Sequence, residues 1–283
     1  MYTFTVENQY GQVLELTHND AYAVKSILGL DPPDGIINTV RNAGQDGSVF
    51  NSGYMDERVI TITLAINYPA EINRINLYKY FKIKYPIKIR YKNGSRNVWI
   101  IGYTQSVQIA FFDKKETAQI TVRCPDPYFN DEKTTMQEMS NVLALFEFPF
   151  DIEETDPVEM SRIEIGREQI ISNRSDVPIG MKIRIYASGA VVNPQIYNVR
   201  TGEFLKILDT MITGDVIEIS TMKGSKLAIR YREGVKTSMI GYFAEGSVWL
   251  QLLPGENVMA MYADVGAENL YIDITSTDQY EGV

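Results

Sequence analysis

Two spacings of hydrophobic positions run along this chain of 283 residues, and the shorter one dominates. In residues 59–66, VITITLAI, β-branched and apolar side chains fill a pleat with Thr on alternate positions, which predicts a strand. Period two also marks 2–6 and 13–17, joined through Asn8-Gln9-Tyr10-Gly11 as a hairpin. It returns in 83–91, which turns at Asn93-Gly94 into 97–103, and in 105–112 with 117–123 around Asp113-Lys114-Lys115-Glu116. One stretch, 71–84, switches to helical spacing. Ile72, Ile75, Tyr78 and Phe81 form its predicted apolar face, with Arg74, Lys79 and Lys82 outward. Beyond residue 141 only short alternating runs follow, at 161–165, 181–186, 196–198, 215–220, 227–231, 248–253, 258–262 and 270–275. Turns rich in Gly, Asn or Pro separate them, the pattern of a β-sandwich.

The interruptions divide the chain. Asp31-Pro32-Pro33-Asp34-Gly35 breaks regular structure, and a loop is expected to run from there to about Tyr54. Some twenty residues without an element is long for a compact domain, and such loops are functional or disordered. Glycines at 35, 44, 47 and 53 give it backbone freedom, and Arg58 stands where it meets the 59–66 strand. Further on, Cys124-Pro125-Asp126-Pro127-Tyr128 stops a strand with two residues that cannot donate to a ladder. The polar segment 131–141 reads as a linker, leaving domains at 1–130 and 142–283. The chain length also favours two cores over one.

Composition narrows the function classes. A hydrophobic fraction of 45% and a charged fraction of 22% are those of an ordinary globular protein. No apolar run approaches the ~20 residues of a membrane span, so no membrane association is expected. The first residues lack the basic and apolar regions of a secretory signal. The single cysteine allows no internal disulfide and fits a reducing compartment. Charge is uneven: residues 1–130 carry 14 Lys/Arg and 12 Asp/Glu, whereas 131–283 carry 13 and 24. An acidic second half is a poor nucleic-acid surface. Residues 72–112 hold eight cations and no carboxylate. On the strand among them Lys84, Lys88, Arg90 and Lys92 share a face, read first as solvated, next as a contact with an acidic partner, and last as a DNA contact.

Nothing in the sequence nominates a catalytic centre. His18 is the only histidine and lies in a hydrophilic turn, and no nucleophile and acid accompany it as a triad needs. Cys124 has no second cysteine for a zinc site and reads as a small buried hydrophobe. The densest acidic run, 151–159, lacks the central Gly of a calcium loop and reads as a solvated loop. No metal or cofactor site is expected. A carbohydrate-binding protein, acting through an exposed aromatic of the second domain, and a hydrolase remain as alternatives to a structural module. Trp249, on a strand at 248–253, is expected to be buried rather than to serve as a sugar platform.

Several motifs, taken in order, resemble the distal tail protein (Dit) family of siphophages. They are the G-Q-D-G-S loop at 44–48 followed by Tyr54 and Arg58, and the C-P-D-P-Y element at 124–128. Nearer the end come Gly214-Asp215-Val216-Ile217-Glu218-Ile219 and Trp249-Leu250-Gln251-Leu252-Leu253-Pro254-Gly255-Glu256-Asn257. The resemblance implies a mainly β chain, with an N-terminal tail-tube-like sandwich or split barrel bearing one helix and a C-terminal galectin-like sandwich. It implies a non-enzymatic structural protein of the virion, forming a homohexameric ring at the distal tail tip after assembly in the host bacterial cytoplasm. The partners implied are the tail tube protein, the tail-associated spike, fibre or receptor-binding protein and the tape-measure protein. DNA would pass through the ring without specific binding. Gly35, Gly44, Asp46, Gly47, Tyr54 and Arg58 become the candidate subunit-interface residues, in a loop that bridges neighbours.

Overall fold

The computed structural model describes residues 2–138, 141–144, 161–164 and 168–283, and of 141–144 and 161–164 the backbone only. The acidic run 151–159 lies outside the described residues. The chain forms two compact units, Met1–Glu132 with Gln279–Val283, and Lys133–Asp278. Of the segment read as a linker, residues up to 138 belong to a strand, Phe129–Glu138.

In chain order the first unit holds β1 (Thr3–Glu7), β2 (Val13–Glu15), β3 (Tyr22–Leu28), β4 (Gly35–Val40), β5 (Val49–Met55) and β6 (Arg58–Ile66). Helix α1 (Ala70–Tyr80), β7 (Pro86–Lys92), β8 (Asn97–Ala110), β9 (Thr117–Cys124) and the start of β10 (Phe129–Glu138) follow. Seven strands make one antiparallel sheet in the order β2-β1-β7-β8-β9-β6-β3. The two strands expected at 97–103 and 105–112 are a single one. Its first part pairs with β7 and its second with β9, and a bulge lies between Thr104 and Ser106. A bulge bends and twists a strand, so β8 can serve both parts of the sheet and turn them towards one core. That core takes Phe4 and Val6 from β1, Ile60, Ile62 and Leu64 from β6, Ile87 and Ile89 from β7, and Ile120 and Val122 from β9. Gly102 on β8 leaves room for side chains of β9. A Cβ there would meet Val122 Cγ1 at 2.5 Å and Cys124 Sγ at 2.7 Å.

Two expectations fail in this unit. The stretch from Gly35 is not a loop: β4 and β5 pair with each other as an antiparallel ribbon. Ile36, Ile37, Val40, Val49 and Phe50 supply the β-formers, but a ribbon packed on no core shows no clean period-two alternation. Helix α1 also faces the other way. Leu77 and the following Phe81 are buried, whereas Ile72, Ile75 and Tyr78 point to solvent. The inner stripe is partly polar and is satisfied by hydrogen bonds. Tyr22 OH donates to Asn73 O at 2.8 Å, Asn73 Nδ2 to Asn67 O at 2.9 Å, and Arg74 pairs with Glu116 at 3.1 Å.

In the second unit come β11 (Asn141–Ala144), β12 (Ser161–Glu164), β13 (Glu168–Asn173), β14 (Met181–Ala187), β15 (Val191–Val192), β16 (Gln195–Asn198) and β17 (Glu203–Lys206). They are followed by β18 (Thr210–Met211), β19 (Val216–Ser220), β20 (Leu227–Arg232), β21 (Val235–Ser238), β22 (Gly255–Tyr262) and β23 (Leu270–Tyr280). Two antiparallel sheets dominate, β23-β14-β19-β20-β21 and β13-β22-β16-β17. Each buries alternate positions, as with Ile183 and Ile185 on β14, Ile217 and Ile219 on β19, and Met259 and Met261 on β22. The whole chain is thus mainly β with one α-helix among its described residues.

The family-like motifs of this unit are turn devices. In the Gly-Asp element Gly214 takes φ +88° and the Asp215 carboxylate turns inward. It accepts from Ile212 N at 2.9 Å and from Arg232 Nε and Nη2. The Pro-Gly-x-Asn element is not the expected strand: 248–253 is irregular, tied to Ile179 by Leu252 alone. Leu250 and Leu252 are nevertheless buried as their parity predicts, whereas Val248 on the same parity is exposed. Fully buried Asn257 closes the turn, donating to Leu253 O at 2.7 Å and accepting from Leu253 N at 3.0 Å. Asn173 Nδ2 donates to Val177 O at 3.1 Å and to Leu252 O at 2.8 Å. Buried amides here replace a regular ladder, since a buried backbone group left unpaired is costly.

Burial alone would raise the pKa of Asp215, but the Arg232 and Ile212 bonds outweigh it and hold the carboxyl below the usual range. A depressed folded-state pKa contributes stability above the unfolded value of about 4 and loses it as pH falls through the folded value. Asp215→Asn should therefore weaken the second unit at pH 7 and make its stability less steeply dependent on pH below about 4. Urea titrations at pH 3 and pH 7, followed by Trp249 fluorescence, check this; parallel losses in parent and variant would refute it.

Candidate functional site

Arg58 opens β6 with its side chain 1% exposed, although it is the most polar of residues. It stays charged inside the first unit because its donors meet backbone carbonyls from distant stretches. Nη1 donates to Gly29 O and Asp31 O at 2.6 Å, Nε to Pro127 O at 2.7 Å, and Nη2 to Glu281 O at 2.5 Å. Its guanidinium lies 4.4 Å above the centre of buried Phe129. Burial pulls the Arg58 pKa down, against the opposing pull of Cys124 and Asp31. The Cys-Pro-Asp-Pro-Tyr element now has a physical purpose: the prolines end β9 so that the Pro127 carbonyl can turn towards Arg58. Gly29, at φ +87°, lies so close to β6 that a Cβ would sit 2.1 Å from Val59 O. The Arg58 side chain is thus committed to carbonyls of its own unit.

Cys124 lies beside this clamp. Burial pushes its thiol up to about 12, with Arg58 opposing, so it stays protonated and inert. His18 is exposed, its Nε2 3.3 Å from Tyr2 O. The basic face of β7 is largely neutralised at home: Arg90 pairs with Glu7 at 2.5 Å and Glu132 at 2.8 Å, and Lys88 with Glu132 at 3.6 Å. Lys88 also lies 4.2 Å over the Trp99 ring. Trp249 is half-buried, with the Phe243 ring edge-on at 5.2 Å and Lys226 Nζ at 5.7 Å.

The other five candidates lie on the β4–β5 ribbon. Gly35 starts β4, and Tyr54, exposed, faces Ile36 across the pair. Gly44, Asp46 and Gly47 form the exposed tip, both glycines at positive φ. One ribbon face gathers Ile37, Phe50 and Gly53. A Cβ on Gly53 would stand 3.3 Å from Ile37 and 3.4 Å from Phe50, so the missing side chain lets the two larger ones meet across it. Ile37, Val40, Val49, Phe50 and Tyr54 are all exposed, and the two strands pair with no third strand. At the root of the ribbon a cleft of about 430 Å³ is lined by Asp31, Asp34, Asp56, Glu57, Arg58 and Arg123, among others. Among the described residues no cluster of His, Cys, Asp and Glu is spaced to hold a metal. No described helix is long and apolar enough to cross a membrane.

Sequence reasoning missed an apolar feature at the far end of β6. Phe111 and Phe112 occupy the β8–β9 turn, both exposed, with Phe112 at φ +68°. The Phe-Phe pair was visible but was absorbed into an expected strand.

Residues 174–280 match the family of the siphovirus-type tail component, C-terminal domain. No curated protein matches by sequence. Among solved structures, the Dit protein of phage SPP1 is similar over 98% of both chains, with a TM-score of 0.67 at 14% identity. It is described as a paradigm of the hub adsorption apparatus in phages infecting Gram-positive hosts. A chain of the activated phage p2 baseplate with strontium is similar over 100% of both chains, with a TM-score of 0.52 at 12% identity.

Arg58→Lys should destabilise the first unit by roughly 2–4 kcal/mol, because one ammonium cannot reproduce the fork of bonds. Deleting 279–283 should weaken the same unit and leave the second unchanged. The two tryptophans, Trp99 and Trp249, report one unit each, so urea melts of the Trp99-only and Trp249-only proteins check both outcomes.

Proposed function

We propose that this chain, a member of the siphophage distal tail protein family and a structural protein of the phage tail hub, closes into a homohexameric ring at the distal tip of the tail. In this reading the first unit forms the ring, below the tail tube protein and in contact with the tape-measure protein. The second unit is a galectin-like sandwich that presents docking points for the spike, fibre or receptor-binding protein. DNA passes through the opening without specific binding, and assembly precedes in the host cytoplasm. The work of such a protein is geometric, with no bond made or broken.

One observation carries the reading. The β4–β5 ribbon exposes five large apolar side chains and pairs with nothing else among the described residues. A two-stranded hairpin alone is marginal in water, and exposed apolar surface of this kind marks an interaction site. Its root is fixed: Gly29 and Asp31 before it and Arg58 after it belong to one buried clamp. A stiff anchor carrying an uncovered apolar ribbon suits a contact with an adjacent copy, and six identical heterologous contacts would close without a free end.

The test is assembly. The full chain should run as a hexamer by light scattering. Replacing residues 36–53 with a short Gly-Ser bridge should leave Trp99 fluorescence and the urea melt near those of the parent, with only monomer in solution. A ribbonless protein that still forms hexamers at the same concentration would place the ring contact elsewhere.

A further inference from the structure

The first unit is made of two pieces of chain, Met1–Glu132 and Gln279–Val283, with the second unit between them in sequence. The later piece is short and closely engaged. Gln279 Nε2 donates to Asn130 Oδ1 at 3.0 Å, and Tyr280 OH to Asp131 Oδ2 at 3.1 Å. The Arg96 guanidinium lies 3.8 Å from the centre of the Tyr280 ring, and Tyr280 and Val283 pack against the core. Glu281 O accepts from Arg58 Nη2, and Val283 N donates to Leu30 O at 3.2 Å. Gly282 runs against Pro32, so that a Cβ on it would stand 2.9 Å from Pro32 Cδ.

Residues 281–283 converge on one stretch, the stem 29–34 that leads from β3 into the β4–β5 ribbon. Within it Gly29 O and Asp31 O accept from Arg58, Leu30 O from Val283 N, and Asp34 O from Asp56 N at 3.2 Å. The stem has no strand of its own, so these bonds fix its course. The ribbon pairs with no third strand, and its direction therefore depends on the stem and on the two residues between β5 and β6. The main sheet differs. None of its seven strands pairs with 279–283, so its ladder stands without them while the stem borrows its partners.

We propose that residues 279–283 are a strap that positions the β4–β5 ribbon, and that the ribbon is held in its working direction only after the strap has docked. Arg58 supplies the drive. Without Glu281 O its guanidinium is one acceptor short inside the unit, and an unpaired buried donor is costly. Docking the strap meets that need and closes Leu30 and Pro32 beneath it, and the ribbon follows its stem. A two-stranded ribbon on a loose stem is marginal in water. Order along the chain gives the strap its consequence. It follows the second unit, so a chain broken off within that unit, or still being made, carries the main sheet but an unpositioned ribbon. The strap thereby reserves a working ribbon for chains whose second unit is complete. The ring reading above enters only in that the ribbon is used for assembly; the strap decides when it can be.

Native-state hydrogen exchange on the full chain, on Gly282→Val and on a chain lacking 279–283 tests the strap. In both variants the amides of 29–31 and of the β4–β5 ladder should exchange about tenfold faster or more, while those of β7 and β8 keep their rates. Unchanged exchange in stem and ribbon overturns the proposal. So does a rise spread evenly over β7, β8 and β9, which marks a loss of overall stability and no positioning. Should the shortened chain fail to fold, Gly282→Val decides alone, since it keeps every residue of the strap and only presses it away from Pro32. A second readout uses an equal mixture of parent and shortened chain. The parent should assemble at its usual concentration and leave the shortened chain out, as native mass spectrometry of the assemblies reads; incorporation in proportion overturns the proposal. Failure of the ring reading has a different mark, a parent that forms no hexamer, and the exchange result still decides the strap.

Discussion

The buried Arg58 guanidinium is the constraint on which the first unit turns. An ionised group out of water is tolerated only when its hydrogen-bonding capacity is met. Here the partners are neutral carbonyls at residues 29, 31, 127 and 281. The charge therefore ties together three stretches far apart in sequence: the exit from β3, the proline-rich end of β9, and residues that follow the second unit in the chain. Charge-assisted bonds to carbonyls are stronger than neutral ones, so the need to satisfy Arg58 fixes the geometry of all three. The buried thiol beside it and the Phe129 ring beneath it complete a site that is structural throughout.

From that fixed root the ribbon gains its direction. β5 ends at Met55 and β6 begins at Arg58, so little slack separates the projecting ribbon from the clamp. At the opposite end the Arg74–Glu116 pair does a similar task for the helix and the β8–β9 turn. The first unit thus exposes apolar side chains at both ends of β6, on the ribbon and on the β8–β9 turn. Among its titratable groups Cys124 is held protonated, and Arg90 and Lys88 meet Glu7 and Glu132.

The second unit solves a different problem. Its irregular stretch at 248–253 must run beside buried strands without a ladder of its own, and buried Asn173, Asn198 and Asn257 supply the missing partners. Asp215 does the same for the turn into β19, with Arg232 balancing its charge. The short motifs shared with the tail proteins are thus hydrogen-bonding solutions to local backbone shapes.

By itself the sequence determined what depends on neighbouring residues. The period-two runs placed β1, β6, β7, β9 and most strands of the second unit, because alternate burial on a pleat leaves a local trace. The Asn8–Gly11 hairpin and the proline stop after Cys124 are legible for the same reason. Tertiary structure decided the rest. Which side of α1 faces the sheet could not be read from apolar spacing, because Asn73 and Arg74 find partners at Tyr22, Asn67 and Glu116, far along the chain. The ribbon passed for a loop because strands that cover no core in their own chain carry no alternating signature. Arg58 stands out in the sequence by its place in a motif, but its hydrogen-bond partners do not. Its acceptors lie 27, 29, 69 and 223 residues away, and only the folded chain brings those carbonyls to one charge.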